Sequence, residues 1–401
     1  MSDLLVTDAR LRDGRVVDVH VAGGRVVALA PVGERPRPDG VPVVAADGGL
    51  VTEPCVDGHL HLDKVRTLPL AGEAALAAYT ADGMAESAVS IDLASAVKAH
   101  WSLDRLLPGI REVLQLGVEH GVLHVQAFVD VDSAAGLVGM EAVLTARAEV
   151  AGVVDVSVVA FPQDGVLRDP GTAELVEAAL DLGADVVGGI PWIEDGEADQ
   201  RAHVEWACTL AARRGLRVAM LTDDAPDPAY RTTGMLAQAM VAHGLVGRGV
   251  ACHARALGSY DEAGLAEVVG QARAAGLGFV SDPHTGGRAV PVRRLLAEGL
   301  PVGLGQDDVE DAYYPFGRHN LLEVAFLAAH LLEMRTAPDL EVLVDLVTTG
   351  AARVLGLAGF GLREGGPGDL LVHDAERTVD LLARHAAPRA VVRGGRVVAQ
   401  R

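Results

Sequence analysis

The sequence predicts an α/β fold: a (β/α)8 barrel of the TIM type with a small β-sandwich formed from both chain ends. Three observations carry that expectation. Eight short apolar runs alternate with amphipathic stretches through the middle of the chain, the rhythm of β–α units on a parallel sheet. Both ends instead carry clustered β-like bursts broken by glycine. The polar residues suited to chemistry gather where the middle runs stop, and barrel enzymes build their sites at the C-terminal ends of their strands.

Taken in order, residues 1–54 contain LLVTDARL, GRVVDVHVAG and GRVVALAPV, and residues 350–401 contain GDLLVHD and AVVRGGRVVAQR. Their similar texture assigns both to one sandwich. Residues 55–349 form the barrel. Its strands are expected in GLVTEPCVDGHLH, GVLHVQAFVDVD, VVDVSVVAFPQ, GADVVGGIPW, LRVAMLTDD, GVACHA, GLGFVSDPH and LPVGLGQDD. Segments such as TAELVEAALDLG and HVEWACTLAARRG read as the intervening helices. A doubly wound open sheet is the competing architecture, but no G-x-G-x-x-G follows the first strand. Half of the 401 residues are apolar and aromatics are only 3%, so the core must be built from small aliphatic side chains.

The net charge of -21 argues against nucleic acid or an anionic membrane as a partner, because no basic patch is available to neutralise phosphates. Lysine occurs only as Lys64 and Lys98, a bias that reads as genomic composition. Cys55, Cys208 and Cys252 are widely spaced and odd in number, the pattern of reduced thiols. The opening MSDLLVTDARL has neither a basic nor an apolar leader region, and no apolar stretch is long enough to span a bilayer. A cytoplasmic location is expected.

Within VDGHLHLDK, His59 and His61 stand at i and i+2 after an apolar strand. Alternate strand residues face one way, so both imidazoles would address one point and make half of a metal site. An isolated H-x-H is as often a polar loop. Asp307 and Asp308 end the last apolar run, where a solvated acidic turn is the plain alternative. A carboxylate from there would complete a two-histidine, one-carboxylate set suited to zinc or iron(II). His253, after the sixth run, is placed to polarise a water or carbonyl, to ligate, or to serve structure alone. Gln163 offers a donor and an acceptor for an amide-like ring edge, or closes a loop. The fourth run ends Gly189-Ile190-Pro191-Trp192 without a lysine to bridge a metal pair, so one ion is expected.

The chain resembles the amidohydrolase superfamily, in its cytosine deaminase-like branch, which includes the isopropylammelide hydrolases of triazine breakdown. The resemblance rests on VDGHLHLDK, VVAFPQDGVL, EAALDLGADVVGGIP, DPAYRT, the SY after ACHARAL, and above all residues 283–324, PHTGGRAVPVRRLLAEGLPVGLGQDDVEDAYYPFGRHNLLEV. It implies one metal at the barrel mouth, held by His59, His61 and Asp307, with Asp307 also relaying protons. It implies that His253 orients the water and that Gln163 and Asp308 hold the heterocycle's edge. We place Trp192, Phe128, Tyr313 and His284 with them as candidate substrate contacts.

The departures from the family pattern matter as much. Anchored on DPAYR, the third metal-binding histidine is Leu221, and the proton-shuttling glutamate is Asp224. Ala127 and Phe128 stand where Thr-His is usual, and Trp192 replaces a common histidine. Two readings follow. One is a metal-dependent hydrolase of a C–N bond in a small nitrogen heterocycle or cyclic amide, with His253, Asp307 and Asp224 as catalytic groups. The other is a divergent homologue that has lost the metal and hydrolysis and binds a small heterocycle, or performs metal-independent chemistry. The resemblance also implies assembly into homo-oligomers.

Overall fold

The computed structural model describes residues 2–36, 39–72, 97–286 and 288–401; Gly287, inside the family-like stretch 283–324, lies outside them. All eight middle runs form strands: β6 (Cys55–Leu60), β7 (Val122–Asp130), β8 (Asp155–Phe161), β9 (Val186–Gly189), β10 (Arg217–Thr222), β11 (Gly249–His253), β12 (Gly278–Ser281) and β13 (Val302–Leu304). Each pairs in parallel with its sequence neighbour, and helices fill the connections. The sheet closes through a parallel bridge between Leu60 and Asp307. There the His61 N–H donates to the Asp307 carbonyl at 2.7 Å, and the Asp307 N–H donates to the His59 carbonyl at 2.8 Å. An open doubly wound sheet has two free edges; here they meet, and the seam falls on the residues singled out as metal ligands.

Strand residues alternate between two cores with period two. Phe128, Val159, Phe161, Ala219, Leu221, Val250, Cys252 and Val280 fill the barrel interior as one buried cluster. Their chain neighbours Val129, Val158, Val218, Met220, Ala251 and Phe279 pack instead in the layer shared with the helices.

The chain ends make two four-stranded sheets. One holds β1 (Leu4–Arg10), β2 (Val16–Ala22), β3 (Arg25–Pro31) and β4 (Val43–Ala45); the other holds β5 (Val51–Thr52), β14 (Leu370–Val372), β15 (Ala390–Arg393) and β16 (Arg396–Gln400). Val6, Val19, Val21 and Val44 from the first share a core with Val51, Leu370, Val372 and Val392 from the second, which makes the pair a sandwich. The three cysteines are buried and free. Among the described residues no helix is long and apolar enough to cross a membrane.

Candidate metal and hydrolytic site

Strand β6 is buried along its whole length and delivers His59 near its end, with His61 just beyond it. The rings converge, with centroids 4.9 Å apart and planes at 86°. The register of β6 against β7 slips between Asp57 and Leu60, so the convergence is not a plain consequence of strand alternation. Gly58 permits the approach: a Cβ there would lie 2.8 Å from Val280 Cγ2 inside the barrel. Asp57 fixes the seam from behind. Its Oδ1 accepts the N–H groups of His59 and Gln306, both at 3.1 Å, while Oδ2 lies 3.2 Å from His319 Nε2.

Three imidazoles surround one carboxylate oxygen. Asp307 Oδ1 lies 3.0 Å from His59 Nε2, 3.9 Å from His61 Nε2 and 3.8 Å from His253 Nε2. Asp307 and His253 both adopt left-handed backbone, φ +67° and +63°, a strained state for non-glycine residues that the surrounding strands hold in place. Burial, with Lys64 beside it, keeps His61 well below the usual histidine range, and burial takes His253 down to about 4. Burial pushes Asp307 upward, but His253, His59 and His61 outweigh it and hold the carboxyl well below its usual range.

This donor set fits a single divalent ion. The ligand atoms of His59, His61 and Asp307 lie within 4.8 Å of one another. His59 Nδ1 is buried with no hydrogen-bond partner among the described residues, and Nε2 faces the Asp307 carboxylate at 3.0 Å. Two imidazole nitrogens and a carboxylate oxygen leave an open position, as in catalytic zinc sites. Where the family pattern has a third histidine, Leu221 is buried among Phe128, Phe161 and Trp192, so that edge is hydrocarbon. The Phe128 ring lies 4.2 Å from the His59 ring.

The two adjacent aspartates after β10 part company. Asp223 turns to the helix Thr232–Ala242, accepting the N–H of Thr232 at 2.6 Å and of Thr233 at 3.0 Å, and is fully buried there. Asp224 faces the site, 3.7 Å from His253 Nδ1, and its Oδ1 accepts Arg255 Nε–H at 2.7 Å.

Gln163 is joined to the metal candidates through Lys64. The Lys64 ammonium donates to Gln163 Oε1 at 2.7 Å, lies 3.1 Å from His61 Nδ1, and pairs with Asp130 at 3.0 Å. An ammonium only donates, so the amide oxygen must face it and the Gln163 NH2 group turns away. Lys98 meets the other Asp130 oxygen at 2.9 Å and Asp132 at 2.5 Å. Asp308 is buried, and burial with Asp311 and Asp307 nearby lifts its carboxyl well above the usual range. The Lys64 ammonium sits 4.9 Å from the Tyr313 ring, whose hydroxyl is buried without a hydrogen bond among the described residues. His284 Nε2 lies 3.1 Å from the Gln306 carbonyl, and its ring packs edge-on to Tyr314. Trp192 is half-buried and packs against Tyr230, on the apolar side.

Sequence reasoning missed Lys64, Lys98, Asp130 and Arg255. The signal for the lysines was present: a chain with two lysines keeps one of them three residues after His61.

The (β/α)8 barrel carries its two histidines at and just beyond the end of its first strand, and its aspartate just beyond the last. The Amidohydrolase family profile matches residues 71–399, and the chain belongs to that family. It is 28% identical over 400 residues to the N-isopropylammelide isopropyl amidohydrolase of Pseudomonas sp. (strain ADP), covering 99% of this chain and 97% of that one. It is 26% identical to the pterin deaminase of Rhizobium rhizogenes (strain K84 / ATCC BAA-868), covering 95% of this chain and 87% of that one. Among solved structures it resembles 5-methylcytosine deaminase from Klebsiella pneumoniae liganded with 5-fluorocytosine, with a TM-score of 0.89 and 29% identity over 100% of this chain and 97% of that one.

Proposed function

We propose that this protein hydrolyses a C–N bond of a small nitrogen heterocycle, releasing ammonia or an amine. The convergence of His59, His61 and His253 on Asp307 Oδ1 at the barrel seam carries the reading. Relatives named for an ammelide, a pterin and a methylated cytosine support the substrate class.

In this reading His59, His61 and Asp307 hold one zinc or iron(II) ion, which would supply a water of lowered pKa and a positive charge beside the reacting carbon. Asp307, kept ionised by its imidazole neighbours, accepts the proton of the attacking water as the new C–O bond forms. His253, buried and neutral, donates a hydrogen bond to the negative charge that develops on oxygen. The C–N bond then breaks, and the proton held by Asp307 passes to the departing nitrogen. Asp224, at the neighbouring strand end, is the second carboxylate available for that transfer. Gln163 presents its NH2 group to the ring, and Asp308, Tyr313 and His284 line the same mouth. Phe128, Trp192 and Leu221 make one wall hydrocarbon, so the preferred substrate carries an apolar edge, unlike free cytosine.

Leu221 favours a second reading, a metal-free protein that binds a heterocycle without turning it over. Metal content of protein purified without chelator separates the two. The hydrolase is expected to carry about one zinc or iron per chain and to release ammonia or amine from aminated pterins, pyrimidines or triazines. His61→Ala should abolish both. Metal-free protein that binds such rings and never turns them over overturns the first reading.

A further inference from the structure

We infer that Arg255 is a positioning residue that fixes the proton of His253 on Nε2, the ring nitrogen facing Asp307. The inference rests on the hydrolytic reading only for its consequence, the delivery of an N–H to the reacting oxygen.

Arg255 lies two residues beyond His253, in the short helix that follows β11, with its guanidinium folded back against the site. The group is almost wholly buried, and four of its five N–H donors have a partner. Nε donates to Asp224 Oδ1 at 2.7 Å, Nη1 to the Arg288 carbonyl at 3.1 Å, and Nη2 to Thr285 Oγ1 at 3.0 Å. Nη2 also lies 3.1 Å from His253 Nδ1. A guanidinium has donors and no acceptor, so that contact is a hydrogen bond only if His253 Nδ1 offers its lone pair. A neutral imidazole carries one proton, and Nε2 must then hold it.

The nearest competing acceptor for an Nδ1 proton is Asp282, whose Oδ2 lies 3.4 Å away, with Asp224 Oδ1 next at 3.7 Å. Turning the Nδ1 proton toward Asp282 would press an N–H against the guanidinium N–H at the shorter distance. Removing Arg255 removes that obstacle and frees Asp224, leaving Asp224 and Asp282 to draw the proton to Nδ1.

The consequence falls on the role of His253. An Nε2 that carries hydrogen has no lone pair for a metal, so His253 stands as a hydrogen-bond donor at the mouth. The same guanidinium anchors Asp224, so one residue sets the direction of both groups on this edge. An uncharged or shorter side chain at this position cannot bridge the ends of β10 and β11 in this way.

Nitrogen-15 NMR of the zinc-loaded full chain, with labelled histidine and the His253 signals assigned by loss in His253→Gln, tests this without any activity measurement. The expected spectrum has a pyridine-like Nδ1 and a pyrrole-like Nε2 for His253. Arg255→Met should move the pair toward the opposite assignment, and Arg255→Lys, which keeps one donor but not the fork, should fall between. A protonated Nδ1 or a metal-shifted Nε2 in the unmodified protein overturns the inference. So does an Arg255→Met spectrum unchanged from the parent. The parent spectrum decides the question even where the methionine variant does not fold. Loss of the tautomer assignment in a protein that still hydrolyses heterocycles sinks this inference alone. The expected spectrum in a protein with no turnover sinks only the hydrolytic reading.

Discussion

Lys64 and Lys98 are the chain's only lysines, and both ammonium groups are buried against the two oxygens of Asp130. Burial alone would push each lysine down, yet the surrounding carboxylates, Asp130 first, hold both above their ordinary value, so both stay charged. Asp63 next to them is pushed up to about 8, by burial and then by Asp130. Removing one partner of such a network leaves charge buried without compensation, which costs about 3–5 kcal/mol. Lys64→Met is therefore expected to lower the unfolding free energy by about that amount in urea titrations. It also leaves Gln163 Oε1 without its ammonium donor. A loss of stability below about 1 kcal/mol would mean that water reaches the cluster and screens it.

The loop between β10 and the helix Thr232–Ala242 shows how an element decides what a residue type does. Asp223 has left-handed backbone, φ +47°, which turns its carboxylate onto the buried N–H groups at the start of that helix while Asp224 faces the site. Capping carboxylates at helix starts contribute up to about 2 kcal/mol, and a buried cap sits at the upper end of that range. Asp223→Ala is expected to cost about 2 kcal/mol of stability by thermal or urea unfolding, while the zinc content of the folded protein stays at the parent level. Zinc lost in proportion to stability would instead place Asp223 in the metal site. The pair also marks the limit of sequence reading. The eight strands were legible because apolar runs of strand length alternate with helical ones. His59, His61 and Asp307 were legible because they stand where strands of that fold end. Which of two adjacent aspartates faces the mouth depends on one dihedral angle that no residue pattern prints. Arg255 was hidden for a related reason: its partners Asp224, Thr285 and Arg288 lie about 30 positions away and meet it only across closed β-strands. The lysines were visible and were explained by composition instead of by burial.

Across the whole molecule, burial sets opposing pH limits on the fold. His61, His120, His203, His253, His284 and His373 are all held below the ordinary histidine value, in each case with burial as the largest cause. A histidine with a lowered folded-state pKa contributes stability that is complete above its unfolded value, near 6.5, and is lost as pH falls toward the folded value. Asp63, Asp282, Asp308 and Asp311 are displaced the other way, upward by burial, so their contribution is lost as pH rises. His373, in the sandwich and away from the barrel mouth, reports this behaviour cleanly. It follows β14 in the sandwich, is 2% exposed, and has only Thr52 Oγ1, 3.0 Å from Nε2, as a side-chain partner among the described residues. Its value is brought down to about 4. Between pH 6.5 and 4 the unfolded chain binds a proton there that the folded chain refuses, worth about 3 kcal/mol over the full window. The non-titrating His373→Gln should therefore be less stable than the parent at pH 7, through imperfect packing. Its disadvantage should shrink by about 3 kcal/mol as the pH is lowered to 4, read from urea unfolding at each pH. Parallel stability curves for the two proteins would mean that His373 takes up its proton without leaving the fold.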